Sequence, residues 1–407
     1  MKLLERLRRP RARTSALASD APRNEYYENI SAKLGILQVV LYLSLFAFVC
    51  LAFFANTNLI TYQNFYHFFQ DLGASAEKVD LFSADSVSYP TDEAQSFTLY
   101  RKGLAVAGNT NVTVFSATGR PLISHQINYQ NPVAVGAGKY LLVYEKGGKQ
   151  YSLYNANTQM YAGESEMPIN GAAISDSGAY ALISSSKTST SSVYLYNSRF
   201  APVNAYHRSG YVMGAALSAD GKRIALLTLS ANAGGEQTTV TLAEVGKTQP
   251  IAETVLDGSM GIDCAFTSSG MLAVLCGNGI AYLDERGAQK EFYDFEGKIP
   301  TMSSVGTDGI AVCLKKNTIS PKNIVIVFDK NGKMVYNETV GEGLCDLAYA
   351  GKAVFWTTDR GVCRLELADQ SVAFTECATD GRRLLAASES EALLCSPQKA
   401  FYISFHS

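Results

Sequence analysis

The stretch VMGAALSADGKRIALL (212–227) reads as an apolar run, a polar turn on Asp220 and Gly221, and a second apolar run. Two neighbours share its outline: INGAAISDSGAYALI (169–183) before it and GIDCAFTSSGMLAVL (261–275) after it. Apolar–turn–apolar hairpins of this kind recur along the chain, around Gly103, Gly138, Gly178, Gly221, Gly270, Gly309 and Gly351. A last copy, LLAASESEALLCS, turns near Ser390 without a glycine. The intervals are 35, 40, 43, 49, 39, 42 and 39 residues, which is the spacing of a repeat architecture.

A second series of turns falls between these hairpins, in VFSATGRPL (114–122), LYNANTQMY (153–161), LYNSRFAPV (195–203), LDERGAQKE (283–291) and FDKNGKMVY (328–336). Each unit therefore offers four short strands, the inner pair nearly all apolar and the outermost more polar. A four-stranded unit of that grading is a propeller blade, buried on both faces near the axis and wetted at its edge. Units from about 95 to 376 supply seven blades. The tail offers three more strands (382–388, 391–396 and 400–406), and LFSADSVSYP (81–90) offers the fourth. The expected fold is all-β: an eight-bladed β-propeller whose N- and C-terminal strands close the last blade. Seven blades with an irregular tail is the alternative.

Ahead of the repeats lies LGILQVVLYLSLFAFVCLAFFA (34–55), 22 residues without a charge. As a helix it spans roughly 30 Å, the hydrocarbon thickness of a bilayer. Its N-terminal flank carries Lys2, Arg6, Arg8, Arg9, Arg11, Arg13, Arg23 and Lys33, and no Lys or Arg follows it until Lys78. That asymmetry holds the N-terminus in the cytoplasm and exports the rest. The run is longer than the apolar core of a cleavable signal peptide and begins too far into the chain for one. Four segments follow: a basic, disordered cytoplasmic arm (1–33), a transmembrane helix that acts as a signal anchor (34–55), an aromatic juxtamembrane collar and linker (56–78), and an extracytoplasmic propeller (79–407). The arm's cations suit anionic lipid heads, and Tyr62, Phe65, Tyr66, Phe68 and Phe69 suit the headgroup level.

Composition narrows the function. Of 35 Lys and Arg against 37 Asp and Glu, residues 1–35 hold eight against four, which leaves 27 against 33 for the remainder. An acidic bulk argues against a nucleic-acid partner. Seven cysteines lie beyond the membrane segment with no C-x-x-C among them, and most are flanked by strand residues as in AVCL and ALLCS, so they read as buried small hydrophobes. One disulfide among them stays open.

Copies such as LSADGKRIALL and ISDSGAYALI resemble the S-P-D-G-x-x-I-A-F hairpins of TolB-like and WD40-like propellers, a likeness that implies fold and not activity. The whole layout resembles an uncharacterised family of single-pass, membrane-anchored β-propeller proteins from Gram-positive, Clostridia-type bacteria. The features that carry this are the basic N-terminus, one membrane helix, D-G turns, and strand ends such as IVIVFDKNGKMVY. The resemblance brings no catalytic residue with it.

Enzyme chemistry finds few parts. Trp356 is the lone tryptophan, so the regular Trp packing of quinoprotein dehydrogenases is missing, and no T-W follows SADGK to complete a sialidase-type Asp-box. The four histidines form no H-x-x-x-H, and no G-x-S-x-G occurs. EKGGKQ (145–150) joins two strands and reads as a hairpin turn, not a phosphate loop. Asp329, Asn331 and Gly332 begin like a calcium loop but lack the later acidic ligands, so they read as a β-turn. No cofactor or metal is signalled. The remaining candidates are three funnel-mouth carboxylates, Asp263, Asp308 and Asp346, which stand near the inner hairpins of their blades. The reading that follows is a binding or assembly module for an envelope protein or for a wall or secreted ligand. The alternative is an extracytoplasmic hydrolase or lyase that uses those carboxylates.

Overall fold

The computed structural model describes residues 33–35, 37–48, 85–101, 103–155, 158–232, 235–317, 320–341, 343–377, 381 and 383–405. The chain divides into two units, Met1–Ala76 and Glu77–Ser407. In the first, residues 33–35 and 37–48 are helical. No helix among the described residues is long and apolar enough to cross a membrane. The C-terminal part of the expected membrane segment, the collar, and nearly all of the basic arm lie outside the described residues. Along 37–48 apolar side chains are exposed on every face, Val39 through Leu43 consecutively among them.

The second unit is an eight-bladed propeller. Its described residues hold 32 strands, β1 to β32 in chain order, in eight four-stranded antiparallel sheets. Blades I to VII follow the chain over 95–126, 132–164, 169–208, 211–257, 261–294, 299–340 and 347–376. Blade VIII takes β30 (Arg383–Ala386), β31 (Glu391–Cys395) and β32 (Lys399–Ser404) from the C-terminus and β1 (Ser86–Ser88) from the N-terminal side. The register is Ser86↔Phe401, Val87↔Ala400 and Ser88↔Lys399. The ring is complete, because each blade's innermost strand contacts the next one and β30 contacts β2 (Gln95–Tyr100). Each sheet keeps its own innermost edge, but in the closed ring these edges are short and face the axis, sheltered from pairing with another chain.

Within each blade the four strands, A to D from the axis outward, bury to different degrees. Strand B is covered on both faces by the adjacent blades, which requires an almost unbroken apolar run. GLAVAG (Gly103–Gly108) is wholly buried, as are LAVLC (Leu272–Cys276) and EALLC in β31. Strand D meets solvent, and QKEFYD (Gln289–Asp294) is mostly exposed. The core is a series of seams between blades. Between IV and V, Leu227, Val240 and Leu242 pack on Cys264, Phe266 and Val274. Between VIII and I, Val87 and Tyr89 pack with Leu104, Val106, Phe115 and Leu393.

Turns fix the two ends of the ring. All A–B and C–D hairpins lie at one end, here the hairpin end. The A strands start, and the B–C hairpins sit, at the other, the rim end. In the A–B turns of blades III and IV, Gly178 (φ 87°) and Gly221 (φ 69°) adopt the left-handed conformation and donate their N–H to Ser175 and Ser218. The Ser218 hydroxyl then donates to Asp220 Oδ1 at 2.7 Å. In the C–D turn of blade VI, Asp329 Oδ1 accepts the N–H groups of Asn331 and Lys333, each at 2.9 Å. This carboxylate caps a β-turn, as the sequence suggested. Because D strands run opposite to A strands, β1 begins at the hairpin end, and there the preceding chain enters the ring.

Candidate functional site

Four consecutive blades share an irregularity at the rim end. The A–B register skips one residue between Ile169 and Gly171, Val212 and Gly214, Gly261 and Asp263, and Pro300 and Met302. Each skip is a β-bulge, whose extra residue leaves the ladder and turns away from its neighbours. The extra residues are Asn170, Met213, Ile262 and Thr301, and all four are exposed. Met213 and Ile262 are 43% and 40% exposed, high for aliphatic side chains at the mouth of a packed ring. Tyr211 (66%), Met260 and Ile299 extend the same arc. Beside it rises the longest hairpin of the ring, Arg223–Asn232 against Gly235–Glu244, which runs beyond the Tyr211↔Leu229 pair that starts strand A of blade IV. Exposed apolar side chains thus gather on the rim of neighbouring blades.

The strand position just past the bulge faces the following blade. Blades III and IV have Gly171 and Gly214 there, and blade V has Asp263, paired with Leu275. Asp346 of blade VII and Arg383 of blade VIII hold the equivalent position, the first through the Thr357 N–H bond to its carbonyl and the second through the Arg383↔Cys395 pair. Asp263 and Asp346 are alike in detail: each Oδ1 accepts the N–H of the next residue, from Cys264 at 2.8 Å and Leu347 at 2.9 Å.

They differ in what else they hold. Asp346 Oδ2 accepts the Leu384 N–H at 2.7 Å, and its Oδ1 lies 3.5 Å from the Arg383 guanidinium. It thus staples blade VII to blade VIII. Among the described residues, Asp263 has no hydrogen-bond donor besides Cys264. It is open to water yet walled by the ring, and the walls push its carboxyl above the ordinary range, while the Cys264 N–H and the Arg383 charge pull it back.

Asp308 belongs elsewhere. It sits in the A–B turn of blade VI, at the hairpin end, and its Oδ2 accepts the Gly351 N–H of blade VII at 2.9 Å. The expected meeting of three carboxylates at one mouth is therefore corrected: two stand at the rim with an arginine, and the third is a turn staple at the opposite end. The reason is strand length. Ile299–Gly306 separates the two ends by eight residues, or roughly 26 Å at the usual rise. The hairpin end has its own cavity of about 810 Å³, lined by Asp176, Asp220, Arg223, Phe266 and Thr307 among others. No cluster among the described residues has the ligand set of a metal site.

All seven cysteines of the ring are unpaired. Burial pushes the Cys276 thiol up to about 12, and Cys264 well above its ordinary value. These are packing groups, as the strand context implied, while Cys345 is exposed beside Asp346.

Reading the sequence missed Arg383 and the bulged pair Met213 and Ile262. A signal for the arginine exists: D-C-A-F from Asp263, D-L-A-Y from Asp346 and R-L-L-A from Arg383 begin equivalent strands. The bulges leave none, because one added residue in an apolar strand changes no recognisable period.

A family model covers residues 82–400, nearly the whole ring. The chain belongs to the DUF5711 family, a family of unknown function. No curated protein matches it. Among solved structures it is similar to Sqt1 of Saccharomyces cerevisiae, with 8% identity, a TM-score of 0.60, and coverage of 81% of this chain and 100% of that one. It is also similar to the C-terminal WD40 domain of Sif2, with 10% identity, a TM-score of 0.57, and coverage of 79% and 97%. Identities this low speak for the fold alone. They support a WD40-type propeller in this DUF5711 chain, and the eight sheets of the ring complete the description.

Proposed function

We propose that this DUF5711 protein is a membrane-anchored, extracytoplasmic propeller that serves as a binding or assembly module, and that an envelope protein docks on its rim. The observation that carries the docking is the bulged arc: four blades spend a register shift to turn Asn170, Met213, Ile262 and Thr301 outward. Exposing aliphatic side chains in this way costs stability, and a partner's surface recovers it. Support for the anchor comes from the uncharged run 34–55 with its basic flank. The all-round exposure of apolar side chains along 37–48 supports it further, since a helix that is apolar on every face suits lipid.

Cross-linking of intact cells with a membrane-impermeant, lysine-reactive reagent tests both parts. Lys187 and Lys316 lie in B–C loops at the rim end, Lys222 and Lys333 in turns at the hairpin end. One dominant partner linked through Lys187 or Lys316 is the expected result. Links confined to Lys222 and Lys333 refute rim docking. Labelling that needs a permeant reagent refutes the topology.

A further inference from the structure

We infer that the rim takes an apolar segment of its protein partner that carries a lysine or arginine, with the cation seated on Asp263. The inference rests on the rim-docking reading above and adds the chemistry of the inserted element. Three observations carry it. The carboxylates at equivalent rim positions number two, Asp263 and Asp346, against one guanidinium, Arg383, which lies 3.5 Å from Asp346. Asp346 is otherwise engaged by two backbone N–H groups, from Leu347 and Leu384. Asp263 keeps one oxygen without a donor among the described residues, because Cys264 bonds only Oδ1.

The surroundings define the rest of the occupant. Ile262 precedes Asp263 in the chain, and Gly214, at the equivalent place in blade IV, has no side chain to fill the mouth beside it. A Cβ built on Gly214 would lie 3.7 Å from Leu227 Cδ1 and 4.0 Å from the Ile262 carbonyl oxygen, ordinary contact distances, so the space beside them is left open by the missing side chain. Met213, Ile262 and Met260 form the apolar wall. A lysine or arginine has the matching anatomy: an aliphatic stem that lies along such a wall and a charged head that donates hydrogen bonds. An ammonium beside Asp263 brings a close opposite charge to a carboxylate that the walls of the ring leave less well solvated. Charge-assisted hydrogen bonds of this type are about twice as strong as neutral ones.

The test uses the full chain in lipid nanodiscs and two capped peptides, Gly-Leu-Lys-Leu-Gly and its norleucine counterpart, titrated calorimetrically to millimolar concentration. The lysine peptide is expected to bind about tenfold or more tightly than the norleucine peptide, the worth of one charge-assisted hydrogen bond. Asp263→Asn removes that preference, and Asp308→Asn, at the far end, leaves it. Met213→Ser with Ile262→Ser weakens both peptides. Urea unfolding followed through Trp356 confirms that each variant is folded. Equal affinity of the two peptides, or a preference that survives Asp263→Asn, overturns the inference while leaving rim docking to the cross-links. Binding of n-butylammonium as tight as that of the lysine peptide overturns it in favour of a free-amine site. No binding of either peptide overturns it too, and rim lysines without cross-links then remove the docking reading as well.

Discussion

Tyr89 follows β1 directly and ties the closing strand into the ring. Its hydroxyl donates to the Ser396 carbonyl at 2.6 Å, and its N–H donates to Gln398 at 3.0 Å. Its ring stands 5.8 Å from Phe97 and 6.3 Å from Phe115, both in blade I, so one side chain joins blade VIII to its neighbour. Tyr89→Phe keeps the ring and removes the hydroxyl, at a cost of about 1 kcal/mol. Tyr89→Ala also empties an aromatic site, at a further cost of about 4 kcal/mol. Against a total stability of about 5–15 kcal/mol, the second variant is severe and the first mild. Urea slopes rise with domain size, and for a ring this large the slope exceeds about 3 kcal/mol per molar. The midpoints should then fall by about 0.3 M for Tyr89→Phe and by 1 M or more for Tyr89→Ala. The assay is urea unfolding read by fluorescence of Trp356, the lone tryptophan, which is 5% exposed in blade VII. A midpoint for Tyr89→Ala within about 0.2 M of the parent would refute the argument that β1 holds the ring shut.

Further predictions concern other parts of the molecule. Gly309 has φ 132°, and a Cβ there would lie 2.1 Å from the Phe328 carbonyl oxygen, so Gly309→Ala should destabilise by well over about 1 kcal/mol in the same assay. Asp263 binds its proton more tightly folded than unfolded, so stability attributable to it falls as pH rises from the unfolded value, near 4, through the raised folded one. Asp263→Asn should therefore be at least as stable as the parent at pH 7, with the gap closing below about pH 4; a gap that widens in acid would contradict the sign. Iodoacetamide at pH 8 should modify Cys345 first, while Cys264, Cys276, Cys313 and Cys395 stay unmodified until denaturant is added, as peptide mapping would show.

The blade count and the closure were legible because hairpins at a steady interval each need a polar turn between two apolar runs. Even the copy without a glycine fits, since the backbone of Ser390 donates to the Ser388 hydroxyl at 3.3 Å and so shapes the turn around Ser388. The site was less legible. Asp308 and Asp346 look alike in sequence, each a carboxylate near an inner strand, yet one follows its A strand and the other precedes one, which puts them at opposite ends. Ile262 and Met213 read as core because apolar residues in an apolar strand belong there, and only the paired register shows that they have left it. Arg383 matters through its neighbours Asp346 and Asp263, which the fold alone brings near.

Blade VIII also imposes an order of events on synthesis. The bond from Tyr89 to Ser396 spans 307 residues, so the first strand of the ring to leave the ribosome is among the last to find its partner. Until the final strand appears, blade VIII is incomplete and β1 stays unpaired at the head of the chain. Loop-closure entropy grows only slowly with length, so the long span costs little extra stability even though it postpones the pairing. A chain that stops short of residue 399 loses the strand that β1 pairs with. It keeps β30 and β31 in place but leaves β1 without a partner, so a few missing C-terminal residues are felt at the other end of the chain, where blade VIII meets blade I.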